Sequence, residues 1–233
     1  KTKAVVVKGK TIQLKATETP KQSIKWSSEN KKIATVNKNG KVTGKKGGTT
    51  KIIATAKDGT KAACKVTVAT VKLNASSMPL QVGTSTKALK VASKTVKNDK
   101  VKSWKSSDSS IASVSKSGKV TAKKTGKATL TVTMKSGAKA TCKVTVQNEK
   151  VTTKKLTLSK KKATLTVKQS VKLGVKRNPI SAKEKITWST SNKKVATVSK
   201  SGKVTAKKAG KATITAKTSN GKKATCKITV KKK

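Results

Sequence analysis

The sequence predicts an all-β protein: three tandem β-sandwich domains arranged as an elongated rod. The first observation behind this prediction is a repeat, because the same run from Trp to Val recurs in three windows, residues 26–68, 104–146 and 188–230. Self-similarity of this kind indicates an array of one small module. The second is alternation of Thr or Lys with aliphatic residues, which is typical of half-buried strands. The third is a set of glycines at equal offsets in every copy, which predicts turns between those strands.

The three copies of the repeat, called modules from here on, have similar lengths. Trp26, Trp104 and Trp188 occupy the same position in each copy, so one module spans about 80 residues, which is enough for one small core. We place the first domain at residues 1–69, the second at 70–149 and the third at 150–233. The links between them are short, which predicts modules that stack end to end as a semi-rigid rod.

Each repeat begins with a strand that contains the Trp and then bends. Four residues after the Trp is a short side chain with an acceptor oxygen, which can bond a backbone amide two residues on and form an Asx-turn. These side chains are those of Asn30, Asp108 and Asn192. A short β-branched strand follows at 33–36, 111–114 and 195–198, and after it a turn that ends in Gly.

The last two strands of each module are predicted to form a hairpin. In the second module, aliphatic residues from Ala128 to Met134 alternate with Thr, and Cys142, Val144 and Val146 then share one face. The turn between such strands holds the pairs Asp58-Gly59, Ser136-Gly137 and Asn220-Gly221. Such pairs favour a tight hairpin in which both central residues have positive φ. No segment has apolar residues at helical spacing, so almost no helix is expected.

The first module is predicted to lack its N-terminal strand. The third module opens with a strand at 155–158 and the second with one at 71–73, both about 30 residues before the Trp, whereas only 25 residues precede Trp26. Val5-Val6-Val7 aligns better with 165–167 than with that opening strand. Either the protein continues N-terminally, as part of a larger polypeptide, or another chain fills this edge, because an unpaired edge favours aggregation.

Charge is the second dominant feature of the chain. There are 59 Lys and Arg against 7 Asp and Glu, a net charge of +52, and Arg177 is the only arginine. Arg makes the bidentate contacts that read phosphate and guanine, whereas Lys is a hydrated point charge, so this surface can hold a polyanion without reading a sequence. Tyr, Phe and His are absent, and single-strand nucleic-acid binders rely on aromatic stacking. Nucleic-acid binding is therefore expected to be non-specific at most.

The repeated sequence resembles that of a known domain family. The run IKWSSENKKIATVNKNGKVTGKKGGTTKIIATA at 24–56, repeated at 102–134 and 186–218, is similar to the group 2 bacterial immunoglobulin-like domain, which also occurs in intimin-like adhesins. The resemblance covers essentially the whole chain as three copies, of which the first is truncated. It implies an Ig-like sandwich in a secreted or surface-attached bacterial protein, where such domains act as stalks, spacers or adhesive modules.

Two recurring residue types, Trp and Cys, are candidates for binding or attachment sites. The three Trp could stack on sugars or bases, but their strand face is apolar in two copies, so core packing is favoured. Cys64, Cys142 and Cys226 give one thiol per module, which excludes a disulfide within a module. These thiols could link chains or carry a lipid or cofactor, but their alternation with Val points them inward, where free Cys behaves as a small hydrophobe.

Catalysis, cofactors and metals find no support in the sequence. Acid–base chemistry needs His or poised carboxylates, and the few acidic residues do not recur at one position in all three copies. Calcium needs several converging oxygens, and transition metals need His or paired Cys. We therefore expect a chain that is not an enzyme and that holds no cofactor or metal. The chain has no apolar run long enough to insert into a membrane.

Paired lysines are the remaining candidates for a site. They precede the Gly48, Gly126 and Gly210 turns, and each pair is called a Lys-Lys corner: Lys45, Lys46, Lys123, Lys124, Lys207 and Lys208. They could merely solvate the surface, or they could bind a polyanion such as an anionic cell-wall polymer or an acidic polysaccharide. The first hypothesis is an extracellular spacer held electrostatically against the bacterial wall. The alternatives are an adhesin-type module for a specific glycan or host polymer and, more weakly, non-specific nucleic-acid binding.

Overall fold

The computed structural model describes residues 1–17 and 23–232, and all regular structure within these two ranges is β-strand, as predicted. Contacts between Cα atoms divide the chain into two compact units. The first consists of Lys1–Ser77, Leu89–Thr121 and Lys127–Val144, and the second of Met78–Ala88, Ala122–Gly126 and Thr145–Lys233. The first module therefore lies wholly in the first unit and the third module wholly in the second.

The first module contains two sheets. Its strands are β1 (Lys3–Val7), β2 (Thr11–Gln13), β3 (Ile24–Ser28), β4 (Ala34–Val36), β5 (Lys41–Gly44), β6 (Gly48–Ala56) and β7 (Lys61–Ala69). One sheet has the order β1-β7-β6-β3 and the other β2-β5-β4. β1 runs parallel to β7, and the remaining pairs are antiparallel. Buried residues of both sheets, among them Val6, Val42, Ile52 and Val66, form one core, as in a β-sandwich.

The second module continues the pattern. Its strands are β8 (Val71–Leu73), β9 (Ser77–Gln81), β10 (Ser85–Thr86), β11 (Val91–Lys94), β12 (Val101–Ser106), β13 (Ala112–Val114), β14 (Val120–Ala122), β15 (Gly126–Met134) and β16 (Lys139–Gln147). Within the first compact unit, β8 pairs with β11 and β12 with β15, both antiparallel. Ala69, Val71, Val132, Met134 and Ala138 form a buried cluster in that unit.

The third module repeats the two sheets of the first and adds a strand pair. Its strands are β17 (Lys155–Leu158), β18 (Lys162–Thr166), β19 (Ser170–Lys172), β20 (Val175–Asn178), β21 (Ile186–Thr190), β22 (Ala196–Val198), β23 (Lys203–Ala206), β24 (Gly210–Thr218) and β25 (Lys223–Lys231). The sheets have the orders β18-β25-β24-β21 and β19-β23-β22, and β17 pairs with β20. Leu173, Val204, Ile214 and Ile228 are almost fully buried in its core.

The first strand corresponds to the strand of the third module that the sequence predicts, but its register differs by one residue. β1 and β18 both run parallel to the last strand of their module, so β1 corresponds to β18 and not to β17. Val6 lies opposite Val68, and Leu165 lies opposite the equivalent Val230. Val5-Val6-Val7 therefore matches residues 164–166, one position earlier than predicted. Three valines in a row carry no alternation, and a strand register is set by alternation.

The predicted Asx-turns are confirmed in all three modules. The Oδ1 of Asn30 accepts the amide of Lys32 at 3.0 Å, that of Asp108 the amide of Ser110 at 2.9 Å, and that of Asn192 the amide of Lys194 at 3.0 Å. The bend after each Trp strand is thus held by its own side chain, as that class of residue allows.

The predicted hairpin type is wrong. Among the described residues only Lys168 has positive φ without being Gly, so Asp58, Ser136 and Asn220 do not have it. The amide of Gly59 bonds to the carbonyl of Ala56 at 3.1 Å, and the amide of Ala56 bonds to the carbonyl of Thr60 at 2.9 Å. The loop therefore has three residues and a left-handed Gly at its end, the arrangement of a type I turn followed by a bulge. Only one residue of each pair then needs positive φ.

The cysteines and tryptophans point toward the core, as predicted. Cys142 and Cys226 are fully buried and Cys64 is 6% exposed. The three Trp are half-buried and pack against the apolar clusters. Each also lies over a turn glycine: a Cβ at Gly40 would stand 2.9 Å from Trp26, and one at Gly202 would stand 2.6 Å from Trp188. These glycines thus serve the close packing of Trp as well as the turn.

Candidate functional site

The Lys-Lys corners are exposed in all three modules. Each lies in the short segment between two strands, Lys45 and Lys46 between β5 and β6, Lys123 and Lys124 between β14 and β15, and Lys207 and Lys208 between β23 and β24. The amides of Lys45 and Lys46 both donate to the carbonyl of Ile33, at 2.8 and 3.1 Å. The amides of Lys207 and Lys208 share the carbonyl of Val195 in the same way, at 2.8 and 3.3 Å. The backbone of the corner is therefore held, while the side chains face solvent.

The glycine that follows the corner is needed for close packing in the first and third modules. Gly48 has φ of 155° and Gly210 has φ of 145°, and both open a long strand. A Cβ at Gly48 would lie 3.0 Å from a side-chain atom of Ile33, and one at Gly210 would lie 3.0 Å from a side-chain atom of Val195. In both modules one residue, Ile33 or Val195, thus accepts the corner amides through its carbonyl and packs against the glycine through its side chain.

A second set of lysines recurs in every copy and was not singled out from the sequence. We call them the sheet-face lysines: Lys61, Lys65, Lys139, Lys143, Lys223 and Lys227. They stand three positions before and one position after each Cys, on β7, β16 and β25, and all six are exposed. Residues four apart in a strand share one face, so both lysines of a pair lie on the face opposite the buried Cys. Their recurrence beside Cys could have identified them.

Strand pairing surrounds Lys65 with like charge. Lys65 lies directly opposite Lys3 on β1 and directly opposite Lys51 on β6. All three side chains are exposed. At the far side of this row, the Nζ of Lys51 lies 3.8 Å from Oε1 of Glu29, both being solvent-exposed. An exposed pair of that kind contributes little to stability.

The four-stranded sheet of the third module has the same feature at two places. Lys227 lies opposite Lys162 on β18, and Lys223 lies opposite Lys217 on β24. Most of the other outward positions of these strands carry hydroxyl groups, among them Thr213, Thr215 and Thr225. The face is thus composed of ammonium groups and hydroxyls, which are both hydrogen-bond donors.

The thiols are built for packing. Burial raises the pKa of Cys142 to about 11. Burial also raises the pKa of Cys64 and of Cys226, although nearby positive charge, from the N-terminus beside Cys64 and from Lys160 beside Cys226, lowers each to a smaller extent. The thiolate is the reactive form of Cys, so these groups are expected to be unreactive in the folded chain.

Two buried or half-buried carboxylates are engaged in hydrogen bonds. Asp99 accepts the amide of Ser136 at 3.0 Å and its hydroxyl at 2.6 Å. Glu184 accepts the amide of Thr153 at 2.7 Å and also its hydroxyl. Partial burial by itself raises the pKa of Glu184, but the bonds from Thr153 and the charge of Arg177 hold the pKa below its usual value. Both groups brace loops of the fold.

Within residues 1–17 and 23–232, no three His, Cys, Asp or Glu side chains come together in a group that could hold a metal. No helix in the same ranges is long and apolar enough to cross a membrane.

Tandem two-sheet sandwiches with repeated turn glycines and an inward Cys define a class of all-β modular proteins. The family model for the bacterial Ig-like domain (group 2) matches residues 1–66, 67–144 and 151–228. The chain belongs to this family, with three tandem copies. Such domains are typical of cell-surface and extracellular modules, and they are structural domains.

The solved structures that match this chain have low sequence identity to it. Drosophila N-cadherin EC1-3 is 12% identical, covers 99% of this chain and 97% of its own, and gives a TM-score of 0.40. Protocadherin Gamma C5 EC1-3 is 11% identical over 99% of both chains, with a TM-score of 0.31. The surface layer protein SbsC, domains 1-6, is 17% identical over 91% of this chain and 35% of its own, with a TM-score of 0.33. A comparison with curated proteins gave no match.

Proposed function

We propose that this chain is a non-catalytic spacer region of a secreted or surface-attached bacterial protein, and that its lysine-rich surface associates electrostatically with anionic polymers of the cell wall. The observation that carries the proposal is repetition of exposed charge. Lysine stands at six positions of the repeat in all three copies, and every one of these side chains is exposed: Lys38, Lys116, Lys200, Lys41, Lys119, Lys203, the Lys-Lys corners and the sheet-face lysines.

Support for a spacer comes from what the other repeated residues do. Trp, Cys and the turn glycines pack or shape the fold, so they serve folding in every copy. The link between the first and second modules is also braced. In the first compact unit, Thr95 donates its hydroxyl to the carbonyl of Val68 at 2.7 Å and accepts the amide of Thr70 at 2.8 Å. Small domains joined by short links, one of them braced in this way, are suited to a spacer.

Support for electrostatic association comes from the kind of charge. A net charge of +52 on 233 residues creates a strong positive potential that attracts polyanions and repels other cations. Because the charge is almost entirely Lys, it gives affinity without geometric selection. The wall of a bacterium that carries anionic polymers would retain such a chain along its length through many weak contacts.

The experiment is retention on isolated cell walls. We expect the purified chain to sediment with walls that carry anionic polymers and to stay in solution with walls from which those polymers have been chemically removed. A neutral polysaccharide is the matched control. Equal retention on treated and untreated walls would contradict the electrostatic part of the proposal. Absence of retention on both kinds of wall at low salt would also contradict it, and only the spacer role would then stand.

An adhesin-type module is the second candidate, and one observation favours it. A cleft of about 520 Å³ borders the half-buried ring of Trp26 and is lined also by Asn37, Lys38 and Lys57. Aromatic rings beside amide and ammonium donors can hold a sugar. In that case a defined oligosaccharide would quench Trp fluorescence even at high salt, and substitution of Asn37 and Lys38 by Ala would abolish the quenching.

A further inference from the structure

We propose that the sheet-face lysines, and not the Lys-Lys corners, are the principal binding surface, and that their ligand is a flexible linear polyanion bearing phosphate groups. This inference rests on the proposed electrostatic association and names its site and its ligand class. The crowding of charge lies within single sheets of the first and third modules, so it does not depend on how the modules are placed.

Like charges are crowded on one sheet of the first module. Neighbouring strands lie about 4.8 Å apart, and Lys3, Lys65 and Lys51 occupy directly opposite positions on three neighbouring strands. Like charges directly opposite each other destabilise a sheet. The ion pair to Glu29 reaches only Lys51, at one end of the row. The other two lysines of the row, Lys3 and Lys65, therefore gain most from an anion that binds between them.

The third module repeats this crowding with different partners. Lys227 is opposite Lys162, and Lys223 is opposite Lys217. The two pairs share the β25 strand and lie about 13 Å apart along it, since a strand rises about 3.3 Å per residue. The partners of Lys227 and Lys65 stand at equivalent positions of β18 and β1, although the surrounding residues differ. One face thus offers two doubly positive points in a row.

The chemistry of these points favours phosphate over carboxylate. Each point places two ammonium groups, with three donors each, within reach of a single acceptor group. A phosphate group within a polymer chain carries one negative charge, as a carboxylate does, but its oxygens are arranged tetrahedrally, so its two free oxygens can each accept from a different ammonium group. Thr225 lies between Lys223 and Lys227 on the same face and adds a hydroxyl donor. The spacing along β25 suits successive groups of a flexible polymer.

The corners lack this arrangement. Lys45 and Lys46 are consecutive residues in a short connection between two strands, outside the strand ladders. Their charge contributes to the overall potential, but it is not matched against a further lysine through strand pairing. The corners and the sheet faces therefore carry equal formal charge and differ in geometry, which makes them matched controls for each other.

The test uses two charge-matched variants of the full chain. In the face variant the six sheet-face lysines are replaced by Gln, and in the corner variant Lys45, Lys46, Lys123, Lys124, Lys207 and Lys208 are replaced by Gln. The apparent Kd for inorganic polyphosphate is measured at one ionic strength. We expect the face variant to lose at least about tenfold in affinity and the corner variant to lose less than about threefold. Each lysine contact releases counterions from the polyanion, so binding weakens with every contact that is removed.

The outcomes separate the inference from the function on which it rests. Equal losses in the two variants, or a larger loss in the corner variant, would overturn the choice of face while electrostatic association stands. Binding of poly-glutamate as tight as that of polyphosphate at equal charge would overturn the ligand class. Absence of binding by the unmodified chain to polyphosphate and to cell walls would overturn the proposed association itself.

Folding of the face variant is checked independently. Removing crowded ammonium groups should raise the Tm of the face variant above that of the corner variant in low salt, because the repulsion lies mainly on the sheet face. A second variant with only Lys65, Lys143 and Lys227 replaced by Gln should show an intermediate affinity. A lower Tm in the face variant than in the corner variant would contradict the crowding on which the inference depends.

Discussion

The carboxylate of Glu184 accepts two hydrogen bonds from Thr153, one from its backbone amide at 2.7 Å and one from its side-chain hydroxyl. Thr153 is 1% exposed, and its carbonyl accepts a further bond from Nδ2 of Asn220 at 2.9 Å. Asn220 belongs to the hairpin between β24 and β25. The entry of the chain into the third module is therefore clamped to the far end of its longest hairpin.

Replacement of Glu184 by Gln should loosen this clamp. Gln keeps one oxygen to accept the amide of Thr153 but has an NH2 donor in place of the second oxygen and carries no charge. The charged bond from the Thr153 hydroxyl is then replaced at best by a neutral one, and the stability of the third module falls by about 1 kcal/mol. Hydrogen exchange of residues 150–160 is expected to accelerate, while exchange in the first module is unchanged. The exposed Glu149 replaced by Gln is the control, and equal acceleration in both variants would contradict the clamp.

The clamp should also make the third module sensitive to acid. The pKa of Glu184 is lowered in the folded chain, so its contribution to stability is present above the unfolded pKa, about 4.3, and is lost as the pH falls through the folded pKa. We expect urea midpoints at neutral pH and below pH 4 to differ more for the unmodified chain than for Glu184→Gln. An identical pH profile in the two proteins would contradict the prediction.

Lys168 is strained. It has φ of 73°, and the left-handed region costs a side-chain-bearing residue roughly 1–2 kcal/mol. The equivalent residues of the other modules are Gly9 and Gly83, with φ of 79° and 77°. Lys168→Gly should therefore stabilise the third module by about 1 kcal/mol and raise its Tm. Ser170→Gly, within β19, should lower it instead, and a fall in both would contradict the assignment.

Gly202 and Gly221 separate backbone strain from packing. Their φ values are 80° and 85°, but a Cβ at Gly202 would stand 2.6 Å from Trp188 and 2.9 Å from the carbonyl of Leu173, whereas one at Gly221 would meet nothing within 4 Å. Gly221→Ala should cost about 1–2 kcal/mol. Gly202→Ala should cost about 1–3 kcal/mol more, because it also overpacks the site. Equal losses of stability in the two variants on thermal unfolding would contradict the prediction, because Trp188 would then move without cost to make room for the added methyl group.

The thiols should react slowly in the folded chain. Burial raises the pKa of Cys142 to about 11, so the thiolate is scarce at neutral pH. Cys64, at 6% exposure, should label before Cys142 and Cys226, which are at 0%. Mass spectrometry after timed addition of a maleimide gives this order, and rapid labelling of all three would contradict an inward position.

Local sequence chemistry predicts much of this fold. Turn glycines, Asx residues and the alternation around Cys142 place strands and bends because each acts through its near neighbours. The loop type after Ala56 escaped prediction because Asp-Gly suits more than one hairpin, and the number of loop residues decides between them. The register of β1 escaped because all three of its last residues are Val, and only the structure separates the buried Val6 from Val5, which is 45% exposed.

The candidate site was predicted less well, for a physical reason. Adjacent lysines are visible in a sequence, and the corners were found in that way. Lys3 and Lys65 become neighbours only through a parallel pairing of the first and last strands of a module. Such a pairing brings together residues that are distant in the chain, and no local pattern encodes it.

The most direct test of the account is the salt dependence of binding to anionic cell-wall polymer. We predict that the logarithm of the apparent binding constant falls linearly with the logarithm of salt concentration between about 50 and 200 mM, as expected when many cations replace counterions on a polyanion. The affinity should drop by at least about tenfold over this range. An affinity that stays constant across it would contradict the central claim, because contacts shaped for one ligand, and not the lysine charge, would then hold the chain.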